Sequence, residues 1–157
     1  MNIEIERKFL VLNDAYKRES FKKTTIKQGF LNSNKKRVVR IRLTDDTAFL
    51  TIKGISDTSG ISRFEWEKEI FIDEAKQLLS LCEKGMIEKT RFYIQKGNHV
   101  FEVDEFLGDN KGLIVAEIEL STKKEKFIKP TWLGKEVTGI KKYYNSKISK
   151  HPFKDWV

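Results

Sequence analysis

The chain has 157 residues, a net charge of +8, 39% hydrophobic and 34% charged residues, with eleven Phe and three Trp. This makes a single domain over 1–157 with a true core, rules out disorder, and favours anionic partners. A lone cysteine, Cys82, excludes an internal disulfide and a cysteine-cluster metal site, and His99 and His151 lack zinc spacing; with no signal peptide and no apolar run of bilayer length, a cytoplasmic protein is expected.

Strand-like runs dominate, at about 2–10, 26–31, 37–44, 47–54, 63–72, 90–96, 99–106 and 113–121. TDDT (44–47) and KGNH (96–99) read as hairpin turns, and GISDTSGIS (54–62) as a longer loop. Asp73 is placed to cap a helix through EAKQLLSLCEK, where Leu78, Leu79 and Cys82 form one stripe. A second short helix is predicted over 122–129, stopping before Pro130, and a third from Gly139 to about Ser149. Eight antiparallel strands with few helices predict a mainly β, α+β fold: a closed eight-stranded antiparallel β-barrel with flanking helices.

Side chains two apart on a strand share a face. In IEIERKFL, Glu4, Glu6 and Lys8 oppose Ile3, Ile5 and Arg7, and the pattern recurs. Arg40 and Arg42 lie opposite Val39, Ile41 and Leu43, while Lys53 lies opposite Leu50 and Ile52. Glu65, Glu67 and Glu69 oppose Phe64, Trp66 and Ile70; Lys89, Arg91 and Tyr93 oppose Phe92 and Ile94. Glu102 and Asp104 oppose Phe101 and Val103; Glu117 and Glu119 oppose Ala116, Ile118 and Leu120. Each strand carries one sign in tandem, whereas a solubility surface mixes signs because adjacent like charges repel. Paired carboxylates suit a hard divalent cation, and paired Arg and Lys suit phosphate oxygens. An inward charged face would form a wet lumen for a polyphosphate with its metal ions. Outward, the same residues would form cross-strand ion pairs worth about 0–1 kcal/mol each. Spacing does not separate inward from outward.

The ordered set IEIERKFL, KQGFL (27–31), VRIRL (39–43), LTIKG (50–54), SRFEWE (62–67), EKTRFY (88–93), FEVDEF (101–106), VAEIEL (115–120) and WLGKEVTGIKKYYN (132–145) resembles the triphosphate tunnel metalloenzymes, which carry the CYTH domain. The resemblance covers nearly the whole chain and implies a barrel open at both ends with a triphosphate inside. It implies that Lys8, Arg40, Arg42, Lys53, Lys89 and Arg91 hold phosphoryl oxygens. It further implies that Glu4, Glu6, Glu65, Glu67, Asp104, Glu117 and Glu119 hold Mg²⁺ or Mn²⁺, two ions in all, and position water. Glu117 and Glu119 are the carboxylates expected to orient water or take its proton. Lys142, beside Tyr143 near one mouth on the helix that closes it, is expected to assist the leaving group. Phe30 stands where short bacterial members usually carry Tyr, so one hydroxyl is missing.

The chemistry this implies is metal-assisted hydrolysis of a phosphoanhydride, with inorganic triphosphate ranked first as substrate. Nucleoside triphosphate hydrolysis and class IV-type adenylate cyclisation are the alternatives on the same fold. A basic β-barrel gripping nucleic acid is the alternative from another class, disfavoured by the carboxylates. Trp132 and the HPFKDW tail are expected to pack on the barrel's apolar outside or against a second copy in a homodimer.

Overall fold

Alternating charged and apolar residues build nine strands in a computed structural model that describes residues 2–156. They are β1 (Ile3–Val11), β2 (Lys22–Asn32), β3 (Arg37–Leu43), β4 (Ala48–Gly54), β5 (Ser62–Ile70), β6 (Ile87–Lys96), β7 (His99–Phe106), β8 (Ile114–Glu119) and β9 (Leu133–Glu136). Three short α-helices, α1 (Tyr16–Glu19), α2 (Ile72–Leu79) and α3 (Asn145–Ile148), and three 3-10 turns complete the regular structure among the described residues. All ladders are antiparallel, in the order β5-β4-β3-β2-β6-β7-β8-β1, and Ile3↔Phe64, Glu4↔Arg63 and Ile5↔Ser62 join β1 to β5 and close the ring. β9 lies beside the far end of β1, opposite Phe9 and Val11.

The predicted strands all form, and β2 and β6 begin earlier than their hydrophobic runs suggested. β9 carries too short a pattern, LGKE, to be read in advance. Residues 122–129 form no helix, because they offer no apolar stripe; Phe127 instead packs edge-on against Phe9 and Phe101 at 5.9 and 6.0 Å. α2 starts earlier than expected: Glu74 Oε1 accepts from the Phe71 amide at 3.1 Å, and Asp73 lies in the first turn. The predicted third helix breaks into a 3-10 turn at Lys141–Tyr143 and α3, because Tyr144 between them is extended.

The apolar parity points outward and is covered piecemeal. Phe92, Ile94, Phe101, Val103 and Ile118 pack under Tyr16 of α1 and under Trp132, both fully buried. Ile41 and Ala48 pack under Ala75 and Leu79 of α2. Each large side chain so buried contributes about 1.5–3 kcal/mol. The outer face at the β1–β5 seam is left uncovered, with Ile3, Phe64 and Trp66 exposed.

The inward parity changes character along the ring axis. At one end it is apolar: Phe30, Val38, Ile87, Phe106 and Val115 meet Val137, Tyr143 and Ile148 from the C-terminal segment and seal the lumen. The loop between β4 and β5 clasps the same segment. A Cβ on Gly60, whose φ is +75°, would fall 2.4 Å from the Gly139 Cα, so this contact requires glycine. The C-terminal segment, expected at one mouth, thus closes that end of the tunnel with apolar side chains and leaves the charged part of the interior a cup.

Candidate active site

The cup is a cavity of about 180 Å³ lined by seven cations and seven carboxylates. The cations are Lys8, Arg40, Arg42, Lys53, Arg63, Lys89 and Arg91; the carboxylates are Glu4, Glu6, Glu65, Glu67, Glu102, Glu117 and Glu119. Strand register puts them there. Lys8 faces Glu117 and Glu6 faces Glu119 across β1–β8, while Lys53 faces Glu65 across β4–β5. The charged faces point inward, and within the lumen they pair across strands.

Lys53 Nζ lies 3.0 Å from Glu4 Oε1 and 3.3 Å from Glu65 Oε2. Arg40 Nη2 reaches Thr51 Oγ1 at 3.1 Å and Glu67 Oε2 at 3.5 Å. Its Nε is buried without a partner, which leaves one donor for a ligand oxygen. Arg91 grips Asp104 with Nε at 2.7 Å and Nη2 at 2.9 Å, and Lys89 Nζ lies 2.7 Å from the same carboxylate. Asp104 is 1% exposed and does not line the cavity. It stands behind the wall as counter-ion to two lumen-lining cations and not in the lining itself.

Burial, together with neighbouring charges, shifts the titration of several lining groups. Burial, with Glu117 and Glu4 alongside, pushes Glu6 well above the usual carboxylate range. Burial works the other way on Glu117, but Lys8, the Glu6 hydrogen bond, Arg91 and Lys89 outweigh it and hold Glu117 well below that range. Burial and then Glu4 and Glu102 raise Glu119, and burial also raises Glu65. Burial, opposed by Asp104 and reinforced by Arg91 and Arg42, drops Lys89 to about 7. Burial together with Arg40 and Arg91 drops Arg42 to about 9. Cations held this far down gain charge stabilisation from an entering polyanion.

Of the residues singled out in the sequence, Lys8, Arg40, Arg42, Lys53, Lys89, Arg91, Glu4, Glu6, Glu65, Glu67, Glu117 and Glu119 meet in this one cup. Lys142 does not. Its ammonium lies over the rings of Tyr143 (5.2 Å) and Trp156 (4.8 Å) and lines an outer depression with Lys111 and Lys154. The Tyr143 ring is buried in the plug, and Lys142 projects to the other side of it. Phe30 takes its expected place in the lining. Arg63, Tyr144 and Asn145 also line the cup and were not anticipated. Arg63 shares the parity of Glu65 and Glu67 and was readable from it, whereas Tyr144 and Asn145 arrive on an irregular segment with no periodicity.

A closed β-ring whose interior is lined by interleaved Arg, Lys and Glu defines a class of protein, a β-tunnel with a charged interior. Comparison with known proteins gives that class a family. Residues 2–152 match the CYTH domain, and the chain belongs to this family. It is 47% identical over 157 residues to an inorganic triphosphatase of Acetivibrio thermocellus, covering 99% of both chains. It is 31% identical over 150 residues to an inorganic triphosphatase of Nitrosomonas europaea, covering 93% of this chain and 96% of that one. A solved crystal structure of an inorganic triphosphatase superposes with a TM-score of 0.64 at 30% identity, over 93% of this chain and 97% of the other.

Proposed function

We propose that the protein hydrolyses inorganic triphosphate to pyrophosphate and phosphate inside the cup, with Mg²⁺ or Mn²⁺. The balance of the lining carries this reading. Seven cations face seven carboxylates, and the Arg40 Nε has no partner. A polyanion alone would meet complementary groups on only half of that wall. A polyphosphate accompanied by divalent cations meets complementary groups on every side. The similarity to inorganic triphosphatases over the full chain supports the same substrate.

The donor set fits the ions. Among the described residues no three carboxylates converge into a ready-made cage. Mg²⁺ is ordinarily held by one or two carboxylates together with substrate phosphates. Glu6 with Glu117, and Glu4 with Glu65, are the pairs that would hold two ions, since each pair crowds charge that an ion relieves. When bound, the ions supply charge neutralisation on phosphate oxygens and lower the pKa of water.

The chain's own groups do the rest. Arg40, Arg42, Lys53, Lys89 and Arg91 bind the equatorial oxygens, where donors fixed in advance stabilise charge growing toward the transition state. Asp104 keeps Arg91 and Lys89 oriented through its three contacts. Glu119, raised by burial and its acidic neighbours, takes the proton from the attacking water, and the strongly acidic Glu117 remains anionic beside it. The cup, of about 180 Å³, has room for a short polyphosphate.

Phosphate release from tripolyphosphate and from ATP, each with Mg²⁺, Mn²⁺ or chelator, tests the reading. Metal-dependent release from tripolyphosphate well above ATP is expected. Equal release from ATP would refute the substrate, and release surviving chelation would refute the ions.

A further inference from the structure

The floor of the cup is made by a segment that belongs to no strand of the ring, and its polar contacts run in one direction. Asn145 Oδ1 accepts from Lys89 Nζ at 2.8 Å and from Gln28 Nε2 at 2.9 Å. Gln28 Oε1 in turn accepts from Arg42 Nε at 2.8 Å. The amide orientations follow from chemistry, because ammonium and guanidinium groups only donate. Arg42 demands the Gln28 oxygen, which leaves the Gln28 nitrogen to donate. Lys89 and that nitrogen both demand the Asn145 oxygen.

Lys89 and Gln28 are fully buried, so water does not substitute for either link. Of the three Lys89 protons, one is engaged by Asp104 and one by Asn145. The same segment also touches cations of β1 and β5: Lys8 Nζ donates to the Tyr143 carbonyl at 3.2 Å, and Lys8 and Arg63 lie 5.2 and 5.7 Å from the Tyr144 ring centre.

We infer that Asn145 is a positioning residue for phosphate binding: its side-chain oxygen fixes the direction of Lys89 and, through Gln28, of Arg42. The inference rests on the proposed function and adds to it a residue from outside the barrel that governs how two of its cations meet the substrate. Without this acceptor, Lys89 and Gln28 are left with unsatisfied buried donors. They swing toward other oxygens, and the cations present the wrong face to the triphosphate.

The test combines binding and turnover. Metal-free inorganic tripolyphosphate is titrated calorimetrically into the wild type, Asn145→Leu, Gln28→Leu and the double variant, and the four are compared in kcat and KM. Loss of one hydrogen bond to a charged group predicts affinity weakened by roughly tenfold to hundredfold in Asn145→Leu. KM is expected to rise in step and kcat to fall as well, since Lys89 and Arg42 also meet the charge that grows toward the transition state. Both single variants break the one path to Arg42, so the double variant should be no more than about threefold weaker than Asn145→Leu.

An unchanged tripolyphosphate affinity in Asn145→Leu overturns the inference, as does a double variant whose loss is the product of the single losses. A lower melting temperature with unchanged KM would make Asn145 merely structural and overturn it equally. Should Asn145→Leu fail to fold, Asn145→Asp keeps the acceptor and must melt within a few degrees of wild type while Gln28→Leu shows the affinity loss; failure of either overturns the inference. Wild-type binding of tripolyphosphate without hydrolysis would remove the proposed activity yet leave the positioning role intact, so the two failures are distinguishable.

Discussion

Asp104→Asn isolates the energetic logic of the cup wall. The carboxylate is 1% exposed and accepts from Arg91 Nε at 2.7 Å, Arg91 Nη2 at 2.9 Å and Lys89 Nζ at 2.7 Å. The amide keeps the volume but removes the charge and turns one acceptor into a donor facing cations. Burial opposes the charge on Asp104, yet Arg91 and Lys89 hold its pKa at about 2 against an ordinary 3.8. That shift corresponds to about 2 kcal/mol. Removing one partner of a buried pair costs about 3–5 kcal/mol, because the remaining charge is left uncompensated. The larger figure is the better guide here, since two cations lose their counter-ion at once. At about 2–4 °C per kcal/mol for a chain of this size, the melting temperature should fall by roughly 6–20 °C. Calorimetric melting checks this, and excess tripolyphosphate should restore part of the loss by supplying negative charge to the same cations. A variant that melts within about 2 °C of wild type would refute the view that Asp104 compensates these cations.

Other outcomes follow from the same geometry. Because the folded-state pKa of Asp104 is depressed, its contribution is fully present above pH 3.8 and is lost as pH falls toward about 2; acid titration of wild type against Asp104→Asn should show the gap between them closing in that window. Lys89, lowered to about 7 in the free protein, must be charged to bind phosphate, so tripolyphosphate affinity should weaken as pH rises above about 7, and calorimetry on Lys89→Met should show a flatter pH profile. Arg40→Lys keeps a charge but removes the unpartnered Nε and the bidentate fork, and kcat/KM in the phosphate-release assay should fall by about tenfold to hundredfold. Glu6→Gln should abolish metal-dependent turnover with a melting temperature at or above wild type, because it removes a carboxylate crowded against Glu117 and Glu4; retained turnover would refute its role as an ion ligand.

Much of the ring and most of the cup were legible in the sequence. A strand places every second side chain on one face, so Glu4-Glu6-Lys8, Arg40-Arg42 and Glu117-Glu119 declared a shared face before any partner was known. What local periodicity does not contain is the side on which that face lies. The ring's closure through Ile3↔Phe64 and Glu4↔Arg63 decided it, because only a closed sheet has an inside, and the apolar parity could be covered by α1, α2 and Trp132 only from outside. Parity was also silent on Asp104, which shares the phase of Glu102 but is drawn behind the wall by Arg91 and Lys89.

The C-terminal segment was only partly legible, for a different reason: its place at one mouth was expected, but its side-chain contacts were not. Its placement depends on an extended Tyr144 between two short turns and on contacts with residues more than 50 positions away, such as Asn145 with Lys89 and Gln28. Such a segment has no repeat of its own. It sealed one mouth, carried Lys142 outside and brought Asn145 in. The charges and their alternation were thus written in the chain itself. Their convergence, the sealed end and the division between ligand-facing and supporting groups came from long-range packing, because a loop's path is set by what it packs against and not by its own sequence.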